Sequence, residues 1–358
     1  MASRVALTVL GVALLSLTTA ASRDLVIYFI DVEGGQSTLM VTPAGESLLI
    51  DTGYAIRGQR GAPPPPPDAV IGRDAQRILA TIKEAGLERI DYLLVTHFHS
   101  DHAGAVPEIA PRIPIGTFID YGDPLGFDRL TLNSFRAYEP IRAAAAHHLV
   151  ARVGDRLPLK GLDADVVSAG GTLISKPIGA GEMNPACVDV EDQPEDGTEN
   201  YRSVGVLFRY GTFRFLDLGD LSGNTLTRLA CPRNMLGQVS AYLIAHHGDY
   251  DTSVPSLYAA LQPQVSIMNN GPNRGGDRYA FVAARHAPGS DLWQLHTSRM
   301  ADAANAPENF VANVDDGTVT AFNLVLTASE NGNFRVSNPR TNFTKSYTAR
   351  RHENAGKR

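Results

Sequence analysis

Short apolar runs bounded by turn residues recur along the chain from residue 24 onwards. Runs of this kind, rich in Val, Ile, Leu and Phe, predict buried β-strands. The predicted strands are Asp24–Phe29, Ser37–Thr42, Ser47–Ile50, Ile90–Val95, Thr117–Asp120, Asp163–Val167, Val204–Arg209, Phe213–Leu218, Tyr242–Ala245 and Val265–Met268. A hairpin is expected from Gly317–Ser329 and Phe334–Asn338, with its turn at Glu330-Asn331-Gly332.

Helical patterning is rarer than strand patterning. It predicts helices at Asp74–Ala85, Ser134–Val153, Pro255–Leu261 and Arg278–His286. The sequence contains no internal repeat, and the proline run at 63–67 is followed at once by apolar pattern, which favours a surface insertion over a linker. Short strands that outnumber the helices predict a layered α/β fold in one domain.

The two ends of the chain differ from this pattern. Arg4, the apolar run Val5–Leu17 and the small residues after it predict a signal peptide over residues 1–21, although a buried helix or an uncleaved anchor is the alternative. The apolar run is too short to cross a bilayer comfortably, so we expect a periplasmic or secreted protein with no membrane span after cleavage. Residues 341–358 are basic and predict a flexible, solvated tail, which leaves 22–340 as the folded domain.

Composition and charge narrow the function classes. The 358 residues are 43% hydrophobic and 20% charged, as in ordinary globular proteins, and the net charge is −6. This charge argues against a dedicated DNA-binding face, but an enzyme that cuts phosphodiesters can take its positive charge from metal ions. Export would allow Cys187 and Cys231 to pair, yet two cysteines carry no pattern, and two free buried thiols remain the alternative.

The strongest chemical signal is the segment Thr96–His102, which follows the predicted strand Ile90–Val95 directly. His97 and His99 alternate along an extended segment and so point the same way, while Asp101 and His102 start the next turn. Imidazole and carboxylate groups suit zinc, manganese or iron. The segment therefore predicts a metal site rather than a surface cluster of histidines without function.

The pattern His-x-His-x-Asp-His after a strand resembles the signature of the metallo-β-lactamase superfamily. Leu48–Gly53, Phe215–Asp220 and Ile244–Gly248 resemble that family's other landmarks and occur in its order. The resemblance spans roughly residues 25–300 and implies an αββα sandwich that holds two divalent metal ions, with zinc favoured and manganese as the alternative. Phe29–Gln36 and the His-His-Gly motif are similar to the hydrolase domain of ComEC-type DNA-uptake proteins, which has relatives among choline-phosphate esterases.

The resemblance assigns a role to each matching residue. Asp101 and Asp220 are the expected catalytic residues, Asp220 bridging the two metals, and Asp51 would orient a ligand histidine. Of His246 and His247, the first is favoured as a ligand because it ends a strand. The implied metal set is His97, His99, Asp101, His102, Asp220, His246 or His247, and Asn200.

Asn200 marks a departure from the family, which usually has a histidine about twenty residues before the bridging aspartate. An amide oxygen is a weaker, neutral ligand, so we expect the His97/His99 site to be looser or completed by water. Asp51-Thr52-Gly53 also resembles the motif of an aspartic protease, but that enzyme needs a second copy. The one candidate, Asp251-Thr252-Ser253, does not follow a buried strand.

The resemblance implies hydrolysis by a metal-activated hydroxide, and the DNA-uptake branch implies a phosphodiester substrate, either a small molecule or an oligonucleotide. We therefore expect an enzyme of the phosphodiesterase or nuclease type, with no obligate protein partner evident. A lactonase or β-lactamase-type hydrolase with the same metal centre is the alternative. A non-catalytic metal-binding relative is a third possibility.

Overall fold

The computed structural model of the protein describes residues 23–56, 69–124, 129–179, 181–188, 190, 195–314 and 321–350. The predicted signal peptide, residues 1–21, lies outside the described residues, as do residues 351–358. None of the helices in the described part of the chain combines the length and the hydropathy needed to cross a bilayer.

The described residues form seventeen β-strands and six α-helices. The strands are β1 Leu25–Phe29, β2 Thr38–Val41, β3 Ser47–Ile50, β4 Ile90–Leu94, β5 Ile115–Asp120, β6 His148–Val150, β7 Asp163–Ala169, β8 Thr172–Leu173, β9 Gly205–Tyr210, β10 Phe213–Asp217, β11 Ala241–Leu243, β12 Val265–Met268, β13 Asp291–His296, β14 Val311–Asn313, β15 Leu324–Ala328, β16 Asn333–Asn338 and β17 Phe343–Thr348. The helices are α1 Arg73–Glu84, α2 Val106–Ile109, α3 Arg129–Ala144, α4 Gly223–Ala230, α5 Pro255–Leu261 and α6 Arg278–Ala284.

The strands form two sheets, each with a parallel and an antiparallel part. The first sheet has the order β17-β16-β15-β1-β2-β3-β4-β5-β6, and β3 to β6 run parallel. The second has the order β14-β13-β12-β11-β10-β9-β7-β8, and β10 to β14 run parallel. The carboxyl ends of parallel strands share one edge of a sheet, and this edge determines where the loops that follow them meet.

The two sheets pack face to face and the helices cover their outer faces. The Phe29 and Phe215 rings, one from each sheet, lie 5.7 Å apart, so the central core is apolar and shared. Ile78 of α1 belongs to the large buried cluster that includes strands of the first sheet. Leu226 of α4 and Leu257 of α5 pack with residues of the second sheet. Strands β3 and β12 are buried along their whole length, as strands covered on both faces must be. This arrangement is an αββα sandwich, and it confirms the predicted fold class.

One predicted helix is too long. The helix expected over Ser134–Val153 ends at Ala144, and His148–Val150 instead forms β6, which adds in parallel to β5. His148 Nε2 lies 3.0 Å from Asp120 Oδ1, so the histidine contacts the neighbouring strand. The alanine-rich sequence favours a helix locally, but pairing with the open edge of the sheet outweighs that preference.

The predicted tail is also shorter than expected. Residues 343–348 form β17, which pairs with β16 along its length. The Phe343 ring lies 5.7 Å from Trp293, and the Tyr347 ring lies 5.0 Å from Phe334. Phe343 and Tyr347 lie on the same face of β17 and therefore anchor this edge strand, although the basic sequence around it resembles a solvated segment.

Cys187 and Cys231 form a disulfide bond, which settles the alternative that the sequence leaves open. The bond links the 3₁₀-helix Pro185–Cys187 to the residue that follows α4. It closes a loop with a sequence separation of 44. Such a cross-link restricts the unfolded chain more than the folded one.

Replacing both cysteines by serine should lower the free energy of unfolding by up to about 4 kcal/mol, the chain-entropy value for a loop of this size. Denaturant unfolding of the exported protein measures this change. Wild type treated with reductant should match the double variant. Alkylation followed by intact-mass measurement without reductant should find no reactive thiol, and two alkylated cysteines would contradict the bond.

Candidate metal centre

The residues that the sequence predicts for the site lie in loops that follow parallel strands. Asp51 follows β3 and the segment His97–His102 follows β4, both in the first sheet. Asp220 follows β10 and the pair His246–His247 follows β11, both in the second sheet. The packed sheets bring these loops together at one edge of the sandwich, where ligand sites of α/β proteins commonly lie.

A carboxylate–imidazole pair forms the base of the site. The carboxylate of Asp51 lies 2.7 Å from His102 Nδ1, and both side chains are fully buried. The backbone N–H and the hydroxyl of Thr96 also donate to this carboxylate, at 2.8 and 2.7 Å. His102 therefore directs its Nε2 away from Asp51 and towards Asp220 Oδ2, 3.0 Å away. A contact of this kind would let Asp51 orient the ring of His102, which is the role that the resemblance implies for it.

Four buried side chains form a cluster that could hold a metal ion. Their ligand atoms all lie within 4.8 Å of one another, and we call this set the four-ligand cluster: Asp101, His102, Asp220 and His247. His247 Nε2 lies 3.3 Å from Asp101 Oδ2 and 3.4 Å from Asp220 Oδ2. In a tetrahedral zinc site with bonds of about 2.0–2.2 Å, ligand atoms lie roughly 3.3–3.6 Å apart, and the two distances from His247 fall in this range.

Two further histidines, His97 and His246, lie near the Asp220 carboxylate and a third, His99, contacts His97; we call these three the histidine group. His97 Nε2 lies 3.1 Å from His99 Nδ1 and 3.8 Å from Asp220 Oδ2, and His246 Nε2 lies 3.9 Å from that oxygen. The Asp220 carboxylate therefore stands between the two sets of side chains. His97 is fully buried, whereas His99 and His246 are partly exposed, so solvent reaches the site on their side.

The sequence favours His246 over His247 as the ligand, whereas the structure brings both side chains to the centre and places His247, not His246, in the four-ligand cluster. Both residues have left-handed backbone conformations, with φ of 45° and 57°. This conformation is unfavourable for residues other than glycine, and consecutive instances concentrate at functional sites. It turns His247 towards the four-ligand cluster and His246 towards Asn200, whose Nδ2 lies 3.3 Å from His246 Nε2.

Buried atoms without partners indicate that the site is built for a ligand. Among the described residues, Asp220 Oδ1, both ring nitrogens of His247 and Asn200 Oδ1 are buried and have no hydrogen-bond partner. Polar atoms left unpaired in a protein interior are costly, so they usually contact an ion or water. Carboxylate and imidazole donors of this kind suit a divalent cation, and the residues present therefore fit the metals that the fold implies.

The electrostatics of the site agree with this fit. Burial alone would lower the pKa of His102, but the carboxylates of Asp220, Asp51 and Asp101 outweigh it and raise the pKa well above its usual value. Burial likewise opposes ionisation of Asp220, yet the surrounding histidines, His102 above all, hold the pKa of its carboxyl well below the usual range. A cation that binds there would compensate the charge of these carboxylates, and its binding would compete with protonation of the imidazole.

Three contacts at the site involve residues that sequence reasoning did not single out for it. Asp251 accepts from His246 Nδ1 at 2.9 Å, which orients that ring as Asp51 orients His102. Arg274 Nη2 lies 2.7 Å from Asp101 Oδ2, and Arg274 Nη1 donates to the Tyr54 hydroxyl. The position of Arg274, in a glycine-rich loop after β12, is the signal that could have found it, because that loop follows a parallel strand.

Residues 30–173 match the family model described as the metallo-beta-lactamase superfamily. The matched segment contains Asp51 and the His97–His102 motif but ends before Asp220 and the histidine pair. No curated protein sequence matches the chain.

Several solved structures resemble the chain at low identity. CmlA, a diiron β-hydroxylase from Streptomyces venezuelae, is 16% identical with a TM-score of 0.43. The match covers 77% of this chain and 53% of CmlA. This chain thus spans about half the length of CmlA. The metallo-beta-lactamase fold protein YhfI from Bacillus subtilis is 10% identical (76% and 96% covered, TM-score 0.43). Tm1679, described as a metal-dependent hydrolase of the beta-lactamase superfamily, is 14% identical (75% and 95% covered, TM-score 0.43).

Likenesses at this level do not extend the activities of those proteins to this chain. The family match covers Asp51 and the His97–His102 motif, and the αββα sandwich and the clustered histidines and carboxylates agree with it. Residues 30–173 thus resemble the metallo-beta-lactamase superfamily, and the described residues form an αββα sandwich with a candidate site for divalent metal ions.

Proposed function

We propose that the protein is an exported, metal-dependent phosphodiesterase of the nuclease or small-molecule type. The observation that carries the proposal is the four-ligand cluster, which is fully assembled and retains buried, unpaired ligand atoms. A relative that had lost metal binding would not be expected to keep such atoms buried, because each one is costly without an ion or water. This argues against a relative that has lost its metal site, and the activity assay below separates the enzyme from a non-catalytic metal-binding relative.

In this proposal the site holds two divalent ions, with zinc favoured and manganese as the alternative. Asp101, His102 and His247 would bind one ion, and His97, His99 and His246 would bind the other. Asp220 would bridge the two ions, since its carboxylate lies between both sets. Asn200 lies beside His246 and could add a weak amide ligand or hold a water, whereas His246 supplies the imidazole expected at that position.

The ions would supply a water of lowered pKa and positive charge to stabilise the developing charge on a phosphoryl oxygen. The residues of this chain prepare the site for that chemistry. Asp51 and Asp251 accept from the Nδ1 atoms of His102 and His246, which presents each Nε2 as a ligand. Burial of His97, His102 and His247 limits water on one side, and the partly exposed His99 and His246 line the side open to substrate.

The support for a phosphodiester is the similarity of Phe29–Gln36 and of the His-His-Gly motif to the ComEC-type hydrolase domain. Export is proposed from the N-terminal apolar segment, and it would place the protein in the periplasm or outside the cell. The disulfide bond is consistent with an oxidising compartment. A small molecule or an oligonucleotide could be the substrate, and neither requires a protein partner.

Hydrolysis should depend on the metals and should favour phosphodiesters. Metal-loaded protein should cut bis-aryl phosphate or single-stranded DNA faster than a lactone or a cephalosporin, and chelation should reduce each rate to background. His99→Ala and Asp220→Asn should do the same in folded protein, because both residues follow strand ends rather than lying in the apolar core.

His147→Ala is the matched control for these variants, since His147 is exposed and lies before β6, outside both groups of ligands. It should retain full activity and a normal circular dichroism spectrum. A preference for the lactone or the cephalosporin would move the protein to the carbonyl-hydrolase class. Full activity after chelation would refute metal-dependent hydrolysis altogether.

Metal content should separate the two histidines that follow β11. Wild type should contain two ions per chain, whereas His246→Ala and His247→Ala should each lose one ion preferentially. Asn200→Ala should lose much less than His246→Ala, because a neutral amide is the weaker ligand. Elemental mass spectrometry after dialysis gives the content, and equal losses from Asn200→Ala and His246→Ala would contradict the assignment.

Removing the orienting carboxylate should weaken metal binding without removing a ligand. Asp51→Asn should lower the affinity for the ion held by His102 by about 10- to 100-fold, as outer-sphere substitutions typically do. Competition with a chromogenic chelator measures this affinity. An unchanged affinity in Asp51→Asn would show that the backbone alone fixes His102.

A further inference from the structure

A single guanidinium enters the metal centre from the loop that follows β12. Arg274 Nη2 lies 2.7 Å from Oδ2 of Asp101, a residue of the four-ligand cluster. Arg274 Nη1 donates to the hydroxyl of Tyr54. The Arg274 side chain is 33% exposed, whereas that of Asp101 is 4% exposed. The guanidinium therefore connects a buried ligand carboxylate with the solvent side of the site.

The backbone around Arg274 holds this position closely. The N–H of Gly271 donates to the carbonyl of Arg274 at 2.8 Å, which closes the turn. A Cβ atom on Gly275 would lie 2.2 Å from the carbonyl oxygen of His247, so this loop packs directly on a proposed metal ligand. On the opposite side, a Cβ on Gly34 would lie 2.8 Å from the Cβ of Arg274. Arg274 is thus fixed between two loops of the site.

Tyr54 is held just as firmly. Its backbone N–H donates to Asp74 Oδ2 at 2.8 Å, and Asp74 is buried at the start of α1. Burial raises the pKa of the Tyr54 hydroxyl, so the group stays neutral and accepts from Arg274 across the physiological range. The hydroxyl accepts a hydrogen bond from one guanidinium nitrogen. This contact fixes the plane of the guanidinium, whose N–H donors form a planar fork.

A bound ion would change the balance of this ion pair. Asp101 Oδ2 faces both Arg274 and His247, and an ion held by that oxygen would weaken its attraction to the guanidinium. Arg274 would then have N–H donors directed at the space beside the metals. A planar guanidinium matches two oxygens of a phosphoryl group, whereas a neutral lactone or lactam offers no such anionic partner.

We propose that Arg274, with its fork positioned by Tyr54, binds a nonbridging oxygen of an anionic phosphoryl group next to the metals. Arg274 would then determine specificity for phosphoesters over neutral carbonyl substrates. The inference rests on the proposed function, since it assigns a residue to recognition of that substrate class. Arg274→Met removes the charge, Arg274→Lys keeps the charge without the fork, and Tyr54→Phe removes only the contact that orients it.

Binding of inorganic phosphate to the metal-loaded, full-length mature protein tests the proposal without turnover. Titration calorimetry should show affinity at least about tenfold weaker in Arg274→Met, the loss expected for one charge-assisted hydrogen bond. Arg274→Lys should fall between Arg274→Met and wild type, and Tyr54→Phe should lose less than Arg274→Met. Elemental analysis should find the same metal content in all variants. Arg156→Met, which removes an exposed guanidinium paired with Asp163, should bind phosphate as wild type does.

The kinetic counterpart compares two substrates. In Arg274→Met, kcat/KM should fall at least about tenfold for bis-aryl phosphate and stay unchanged for a neutral aryl ester. Equal losses on both substrates, unchanged phosphate affinity or loss of metal would each overturn the inference, since Arg274 would then act through structure alone. If wild type binds phosphate through Arg274 yet cuts no phosphodiester, the proposed function fails while the anion site stands.

Discussion

The structure of the site depends on one buried chain of contacts, from Asp51 through His102 to Asp220. Asp51 belongs to the first sheet and Asp220 to the second, so this chain joins the two halves of the sandwich at the edge where the site lies. Both carboxylates are fully buried, and an unpaired buried charge is strongly destabilising. The imidazole between them pairs with one oxygen of each carboxylate, and Thr96 donates two further hydrogen bonds to Asp51, whereas Asp220 Oδ1 is left without a partner. The neighbouring loops are then built against a rigid base.

The departure from the family pattern at Asn200 has a structural counterpart in the loop after β11. The left-handed backbone of two consecutive histidines costs of order 1–3 kcal/mol for each residue, so the surrounding contacts must stabilise it. The His246 N–H donates to the Gly219 carbonyl, and the His247 carbonyl accepts from the N–H of Gly276. These bonds tie the strained pair to the Asp220 loop and to the Arg274 loop. The result brings both imidazoles near Asp220 Oδ2, at 3.9 and 3.4 Å, whereas consecutive residues of a regular strand point to opposite faces.

Much of the architecture could be predicted from apolar pattern, because buried strands and amphipathic helices have periodicities that local sequence carries. Ser47–Ile50, Val265–Met268 and Pro255–Leu261 lie where the pattern predicts them. The predictions were wrong where long-range pairing outweighs local preference, as at β6 and β17. The short α4 and the strand β13 were not predicted.

The sequence by itself determined the types and order of the candidate metal ligands and the strands that precede them, since motif spacing and strand periodicity are local properties. Only the tertiary structure decided which side chains meet. It brought His247 into the four-ligand cluster, turned His246 towards Asn200, joined Cys187 to Cys231 and placed Arg274 against Asp101. Each of these contacts joins positions far apart in the chain or depends on a backbone conformation that the residue types disfavour. They arise because packing the two sheets sets the distances between loops, and no local pattern in the chain specifies those distances.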